Sequence, residues 1–310
     1  MYSRKRMTGL AAAGMSGALL LTACGGGGED LTGGSDEAAE DAQEISIALI
    51  AWEDAIAVTA LWEVILEEKG YDVEVTDVDV APAFQGVANG DMDLYLDTWL
   101  PATHEQYWDD YGDDMEDLGS WYDNAILTLT VPTYMEDVNS IPDLLDHADD
   151  LDNRIVGIDP GAGLTDTTEN DAMPGYGLDE DFELVTSSGA AMLAELDGAI
   201  TDEEPIVVTL WRPHPAYAQH DLKDLEDPEG LMGDAETIHA VGRDGFGDDY
   251  PELAGWIDDW TLSSDELAEL QVLTLEEYED DTQEGARVWL SDNPDFLERT
   301  LGDAAEDLDF

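Results

Sequence analysis

Cysteine is nearly absent: the 310-residue chain has one, Cys24, so no disulfide can form within it and no cysteine cluster can hold a metal. Positive charge is almost as scarce. Ten Lys and Arg stand against 76 Asp and Glu, a formal net charge of −66. Such a surface repels phosphates rather than releasing their counterions, which excludes nucleic-acid binding, and anionic lipid headgroups repel it as well. Enzyme motifs are missing too. His104-Glu105-Gln106-Tyr107-Trp108 lacks the second His of a zinc-protease helix, and no Gly-x-Ser-x-Gly occurs. Acid pairs such as Asp109-Asp110 and Asp113-Asp114 are what so many carboxylates produce by chance, and they read as a solvated face. No catalytic residue, metal ligand or cofactor is assigned.

What is present argues for a folded chain. An apolar share of 43% is too high for wholesale disorder, and the length suits two domains or lobes. Like charges oppose the compact state unless salt screens them, with a Debye length of about 3 Å at 1 M; the composition therefore points to a salt-rich, halophilic setting, the alternative being an acidic but ordinary secreted protein. The N-terminus carries Arg4-Lys5-Arg6, then an apolar and small-residue run from Leu10 to Leu21, too short and too rich in Gly and Ala to span a bilayer permanently. This is a signal peptide. It ends in Leu21-Thr22-Ala23-Cys24, which resembles the lipobox of a bacterial lipoprotein signal, and that resemblance makes Cys24 a lipidated N-terminus. Residues 25–44 are Gly-rich and acidic without an aromatic residue, the composition of a flexible tether, so the folded part is expected from Ile45.

From there the pattern alternates strand and helix. Ile45–Ile50 is a strand candidate; Val58, Leu61, Trp62, Ile65 and Leu66 mark one face of a helix that Gly70 stops. Asp72–Val78 and Asp91–Asp97 alternate as strands around a short helix at Ala83–Ala88. Ile126–Val131 is a strand ended by Pro132, Ile141–Leu151 a helix, and Arg154–Ile158 a strand entering Asp159-Pro160-Gly161-Ala162-Gly163. Ala190–Ile200 reads as helix, and Pro205–Trp211 as a buried strand terminated by Pro213 and Pro215. The remainder is mostly helical, with one strand at Thr237–Val241 that can return to the first segment. This βαβ rhythm predicts an α/β protein with parallel or mixed sheets, in two lobes around a cleft.

Three tryptophans stand where strands end: Trp52, Trp99 and Trp211. In open α/β sheets the carboxyl ends of the strands border the ligand crevice, so the three indoles are candidates to converge there. Indole faces suit a quaternary ammonium group, which cannot donate a hydrogen bond. Tryptophan is also an ordinary core residue; Trp62, on the helix stripe, and Trp289, in a C-terminal helix, are read that way. Gly161-Ala162-Gly163-Leu164-Thr165 lies between a strand and a helix, where backbone N–H groups can hold an anion, although a short glycine turn is more often plain turn chemistry. His104 stands five residues after Trp99 as a candidate hydrogen-bond donor, the alternative being a structural histidine.

Asp97-Thr98-Trp99-Leu100-Pro101-Ala102-Thr103-His104, Gly157–Gly163 and Glu204–His214 together resemble the glycine betaine/proline betaine-type substrate-binding proteins of ABC transporters, in their lipoprotein form, over roughly residues 45–295. The resemblance implies a type II periplasmic-binding-protein fold, two mixed-sheet lobes closing on ligand. Lobe I is expected to comprise residues 45–132 and 240–310, and lobe II residues 133–239. It implies a Trp52, Trp99 and Trp211 cage for the trimethylammonium head, with the ligand carboxylate held by His104 and by backbone amides near Gly163 and Leu164. Pro215 departs from the family, where an aromatic residue follows Pro-His. Implied partners are a membrane permease with its separate ATPase, the location is the outer face of the cell membrane through the Cys24 anchor, and the role is osmoprotection without catalysis. The alternatives are the same scaffold tuned to choline, carnitine, proline betaine or ectoine, a surface-anchored hydrolase with an acid pair, and a purely interacting surface lipoprotein.

Overall fold

The computed structural model describes residues 43–308 and 310; the signal peptide, Cys24 and nearly all of the expected tether lie outside the described residues. Nine strands follow in chain order: β1 (Glu44–Leu49), β2 (Asp72–Asp77), β3 (Leu94–Leu100), β4 (Met115–Pro132), β5 (Arg154–Gly157), β6 (Glu183–Thr186), β7 (Val208–Arg212), β8 (Leu222–Asp224) and β9 (Glu236–Arg243). The first lobe is built on the order β2-β1-β3-β9-β4, in which β1 pairs parallel with β2 and β3 while β9 runs antiparallel to β3 and β4. The second is built on β4-β7-β5-β6 with β8 alongside β4; β7, β5 and β6 are mutually parallel, and β4 is antiparallel to β7. Both sheets are therefore mixed. One strand, β4, belongs to both. Its first part pairs with β9 and its last part, Ile126–Thr130, with β7. The expected lobe boundaries fall at the end of β4 and inside β9.

Helix α1 (Glu53–Glu68) buries Val58, Leu61, Trp62, Ile65 and Leu66, the stripe read from their spacing. It stops at Lys69, and Gly70 takes φ +88°, a turn that an L side chain resists. Helix α2 (Val80–Ala88) begins three residues earlier than its apolar run suggests, and α3 (Glu105–Tyr111) starts directly after His104. In the first lobe Trp62 meets Trp260 edge-on at 5.4 Å, and Trp121 stacks on Trp260 at 4.9 Å. Trp62 and Trp289 are fully buried, as core residues should be.

Three expectations need correction. Residues 115–125 were not expected to form strand, yet β4 runs 18 residues. Its register breaks between Asp117 and Ser120, between Ser120 and Tyr122, and between Asp123 and Ala125, and these irregularities erase the alternation that marks a strand. Ile141–Leu151 is not an α-helix: a 3₁₀ helix spans Ile141–His147, whose buried residues Ile141 and Leu144 lie three apart, the repeat of that helix. A Ser140–Asp143 capping box starts it. The short strands β6 and β8 carried no pattern long enough to read.

All seven Lys and Arg beyond Arg6 are engaged. Arg243 bridges Asp93 and Asp249, both at 2.7 Å, Arg287 bridges Glu67 and Glu68, and Arg299, Arg212 and Arg154 pair with Glu266, Asp224 and Glu195. Lys69 donates to the Ala304 carbonyl and Lys223 to Asn139. Exposed pairs of this kind contribute about 0–1 kcal/mol each. The remaining carboxylates have no positive partner to spare, so screening governs their repulsion. The melting temperature should therefore climb as NaCl is raised from about 0.1 M to about 2 M. A melting temperature flat across that range would show that the acid surplus carries no net repulsion.

Candidate functional site

Each of the three tryptophans leaves a strand and enters a turn. After β1 the chain turns through Ile50-Ala51, and Trp52 occupies the N-cap of α1, its carbonyl accepting from Ile56 N–H at 2.8 Å. Trp99 lies in the last two residues of β3, before a cis Leu100–Pro101 peptide, and Trp211 stands likewise in β7 before a cis Arg212–Pro213. Helix α4 (Gly163–Thr167) follows the β5 loop in the second lobe. A small cavity of about 20 Å³ sits where these elements meet. All six residues singled out in the sequence, Trp52, Trp99, Trp211, His104, Gly163 and Leu164, line it, together with Asp54, Thr103 and Ile158 among others. The tryptophans are only 4–6% exposed.

Every indole N–H in this set donates to a carboxylate. Trp52 Nε1 reaches Asp159 Oδ2 at 3.2 Å, Trp99 Nε1 reaches Asp97 Oδ1 at 2.9 Å, and Trp211 Nε1 reaches Asp54 Oδ1 at 3.2 Å. The first and third cross from one lobe to the other. Two more bonds do the same: Tyr107 donates its hydroxyl to the Gly161 carbonyl at 2.8 Å, and His214 Nε2 lies 3.2 Å from Glu53 Oε2. Contact across the cleft is close. A Cβ built on Gly163 would lie 1.9 Å from the Thr103 carbonyl oxygen, so only glycine fits there.

His104 is wholly buried, beside Phe84 and Tyr107 and parallel to Trp52 with ring centres 6.0 Å apart. Its Nδ1 accepts the Trp99 backbone N–H at 2.9 Å, which leaves the hydrogen of a neutral ring on Nε2. That Nε2 finds no partner among the described residues. Burial pushes the ring's pKa down to about 3, so it is a neutral donor, not a cation. Helix α4 starts without a side-chain cap, leaving the N–H groups of its first turn without intrahelical acceptors. Because Gly163 abuts Thr103, next to His104, these donors gather at one edge of the cavity. The rest of the wall includes the three indoles, Asp54 and the apolar side chains of Leu127 and Ile158. Such a cavity can hold a small molecule with a non-hydrogen-bonding cation at one end and an anion at the other.

Sequence reasoning missed the residues behind the site. Glu236, at the start of β9, is buried and accepts the N–H groups of Ala102 and Thr103 at 2.7 and 2.9 Å as well as the Thr103 hydroxyl, tying down the loop that carries His104. It is 133 residues away in the chain, and no local pattern marks it. Asp54 and Asp159 were one acid among many. Their signal was position: Asp54 two residues after Trp52, and Asp159 two residues past the end of β5.

Residues 43–292 match the family described as the substrate binding domain of the ABC-type glycine betaine transport system. The glycine betaine/carnitine transport binding protein GbuC of Listeria monocytogenes is 38% identical over 151 residues, 48% of this chain and 49% of its own length. The chain thus aligns with about half the length of that curated relative. Among solved structures, closed lactococcal OpuAC in complex with glycine betaine is 32% identical with a TM-score of 0.77, covering 84% of this chain and 99% of its own. The glycine betaine/L-proline-binding protein ProX from Borrelia burgdorferi is 30% identical with a TM-score of 0.80, covering 85% and 98%.

The histidine assignment is open to direct measurement. Nitrogen-15 NMR should show His104 as one neutral Nε2–H tautomer from about pH 8 to about pH 5, because its folded pKa lies below the ordinary value. The sign for stability follows: this group's contribution is complete above about pH 6.5 and is lost towards about pH 3, as the unfolded chain takes up the proton first. A His104 signal titrating near the ordinary histidine value would contradict the neutral-donor role.

Proposed function

The chain belongs to the family of substrate-binding domains of ABC-type glycine betaine transport systems, and from that premise we propose that it captures glycine betaine in the Trp52–Trp99–Trp211 cavity and delivers it to a membrane permease driven by a separate ATPase. One observation carries the reading: three strand-end indoles from both lobes face one cavity that also holds an unpartnered neutral His104 donor and the open start of α4. A trimethylammonium group offers no N–H, so it leaves water only for aromatic faces, at about 2 kcal/mol or more per desolvated contact. Its carboxylate needs donors, and His104 Nε2 with the Gly163 and Leu164 N–H groups provide them. Neither half of the zwitterion is buried without compensation.

Capture follows from closure. With the tryptophans so little exposed, ligand enters only when the lobes part, and the four cross-cleft bonds re-form around it. No step makes or breaks a covalent bond, and the protein acts without catalysis. Lobe I comprises residues 45–132 and 240–310 and lobe II residues 133–239; residues 1–24 direct export, Cys24 carries the lipid, and residues 25–44 tether the receptor to the outer face of the cell membrane. Uptake of an accumulating osmolyte suits a chain whose net charge of −66 favours a salty, halophilic setting. A second reading has its own support. Asp54 lines the cavity, and a carboxyl there can accept a hydroxyl, a group that choline and carnitine possess and glycine betaine lacks.

Titration calorimetry in molar salt with glycine betaine, choline and carnitine separates these readings. Glycine betaine should bind in the micromolar range, and Trp99→Ala and Trp211→Ala should each weaken it by about 30-fold or more, the equivalent of one lost cation–π contact. Preference for choline would move the assignment to the hydroxylated cations. Folded protein that binds none of the three would end it.

A further inference from the structure

Trp99 and Trp211 line the cavity, and each gives its indole N–H to a carboxyl. Asp54 and Asp97 are 1% and 0% exposed. Asp54 receives the Trp211 indole N–H and Asp97 the Trp99 indole N–H. The two carboxyls interact directly, yet Oδ2 of each finds no N–H or O–H donor among the described residues. Two bare carboxylates so placed would repel in a low-dielectric interior. One proton held between them makes the missing bond and leaves the pair a single negative charge.

We propose that the Asp54–Asp97 pair, joined by one shared proton, positions Trp99 and Trp211 and sets how strongly the cavity holds a cation, loosening its grip when a second proton enters. The proposal rests on the betaine reading and deepens it. Both acids act as positioning residues through the indoles. Burial, followed for Asp97 by the charge of Asp54, holds both carboxyls above the ordinary carboxylate range, so the second proton enters under mildly acidic conditions. The other groups facing the pair are Glu53 and His214, which lie across the cleft from each other, and the buried hydroxyl of Tyr95, with Tyr107 beyond it. His104 stays neutral in this range.

The signs of affinity and stability oppose each other. A pair that passes from one negative charge to none attracts the ligand cation less, so affinity falls as pH falls. Folding raises both carboxyl pKa values, so the native state holds more protons than the unfolded chain; the pair's contribution to stability is full at low pH and is lost as pH rises through the folded values. The Trp211–Asp54 bond spans the cleft, so the same proton bears on closure.

The test titrates the protein with glycine betaine and with tetramethylammonium, the cation alone, between about pH 7.5 and about pH 5, in the wild type, Asp97→Asn and His214→Gln. Infrared spectra of the ligand-free protein are read for a protonated-carboxyl band at neutral pH. The wild type should lose about tenfold in affinity for both ligands on acidification. Asp97→Asn, whose amide replaces the shared proton, should lose the slope and the band, while His214→Gln keeps both. A slope that survives in Asp97→Asn and vanishes in His214→Gln would hand the effect to the Glu53–His214 pair and overturn the proposal. So would a wild type with no slope, or with no band while betaine still binds, and neither of these readings needs a variant to fold. A protein that binds neither ligand at any pH would refute the betaine reading and the coupling together, which separates that failure from failure of the pair alone.

Discussion

Two indole hydrogen bonds cross the cleft in opposite directions, Trp52 of the first lobe to Asp159 of the second and Trp211 of the second to Asp54 of the first. Each fixes a cavity-lining ring by its edge. An indole buried without an acceptor would leave its N–H unsatisfied, and an indole satisfied within its own lobe would not hold the lobes together. The requirement that the edge be bonded while the face stays free explains why carboxylates gather around an otherwise apolar site. Trp99 obeys it within the first lobe, through Asp97.

The sheet topology puts those rings in reach of one another. β1, β3 and β7 end beside the cleft, two strands from one sheet and one from the other, and β4 runs through both sheets. A shared strand links the two sheets and leaves the loops at the strand ends to carry the site. Glu236 reinforces this from the start of β9 by holding the Ala102–Thr103 turn, and Gly163 completes it by allowing α4 to press against the Thr103 carbonyl. The three indoles, His104 and the start of α4 come to lie in one small space because each stands at or after a strand end.

Much of this was legible locally. The i, i+3, i+4 stripe of α1 and the position of the three tryptophans after strands are short-range patterns, and they led to the helix and to the lining of the cavity. What escaped depends on distance in the chain. The first half of β4 is strand only because β9 pairs with it, and its bulges hide the alternation. Asp54 and Asp97 are buried acids in a chain of 76, and composition alone reads any acid as solvated. Asp97 stands two residues before the Trp99 whose indole it receives, but the Trp211 that donates to Asp54 is 157 residues away in the chain. Ile141–His147 failed for a subtler reason: apolar residues three apart fit both the 3₁₀ and the α repeat, and the short segment carries too few of them to choose.

A crystal structure of the protein grown with glycine betaine would test the central claim most directly. The account requires the trimethylammonium group to lie among the faces of Trp52, Trp99 and Trp211, with the carboxylate on His104 Nε2 and the N–H groups of Gly163 and Leu164. A ligand lying in the reverse sense, with its carboxylate against the indoles, or bound away from a cavity that stays empty, would contradict it.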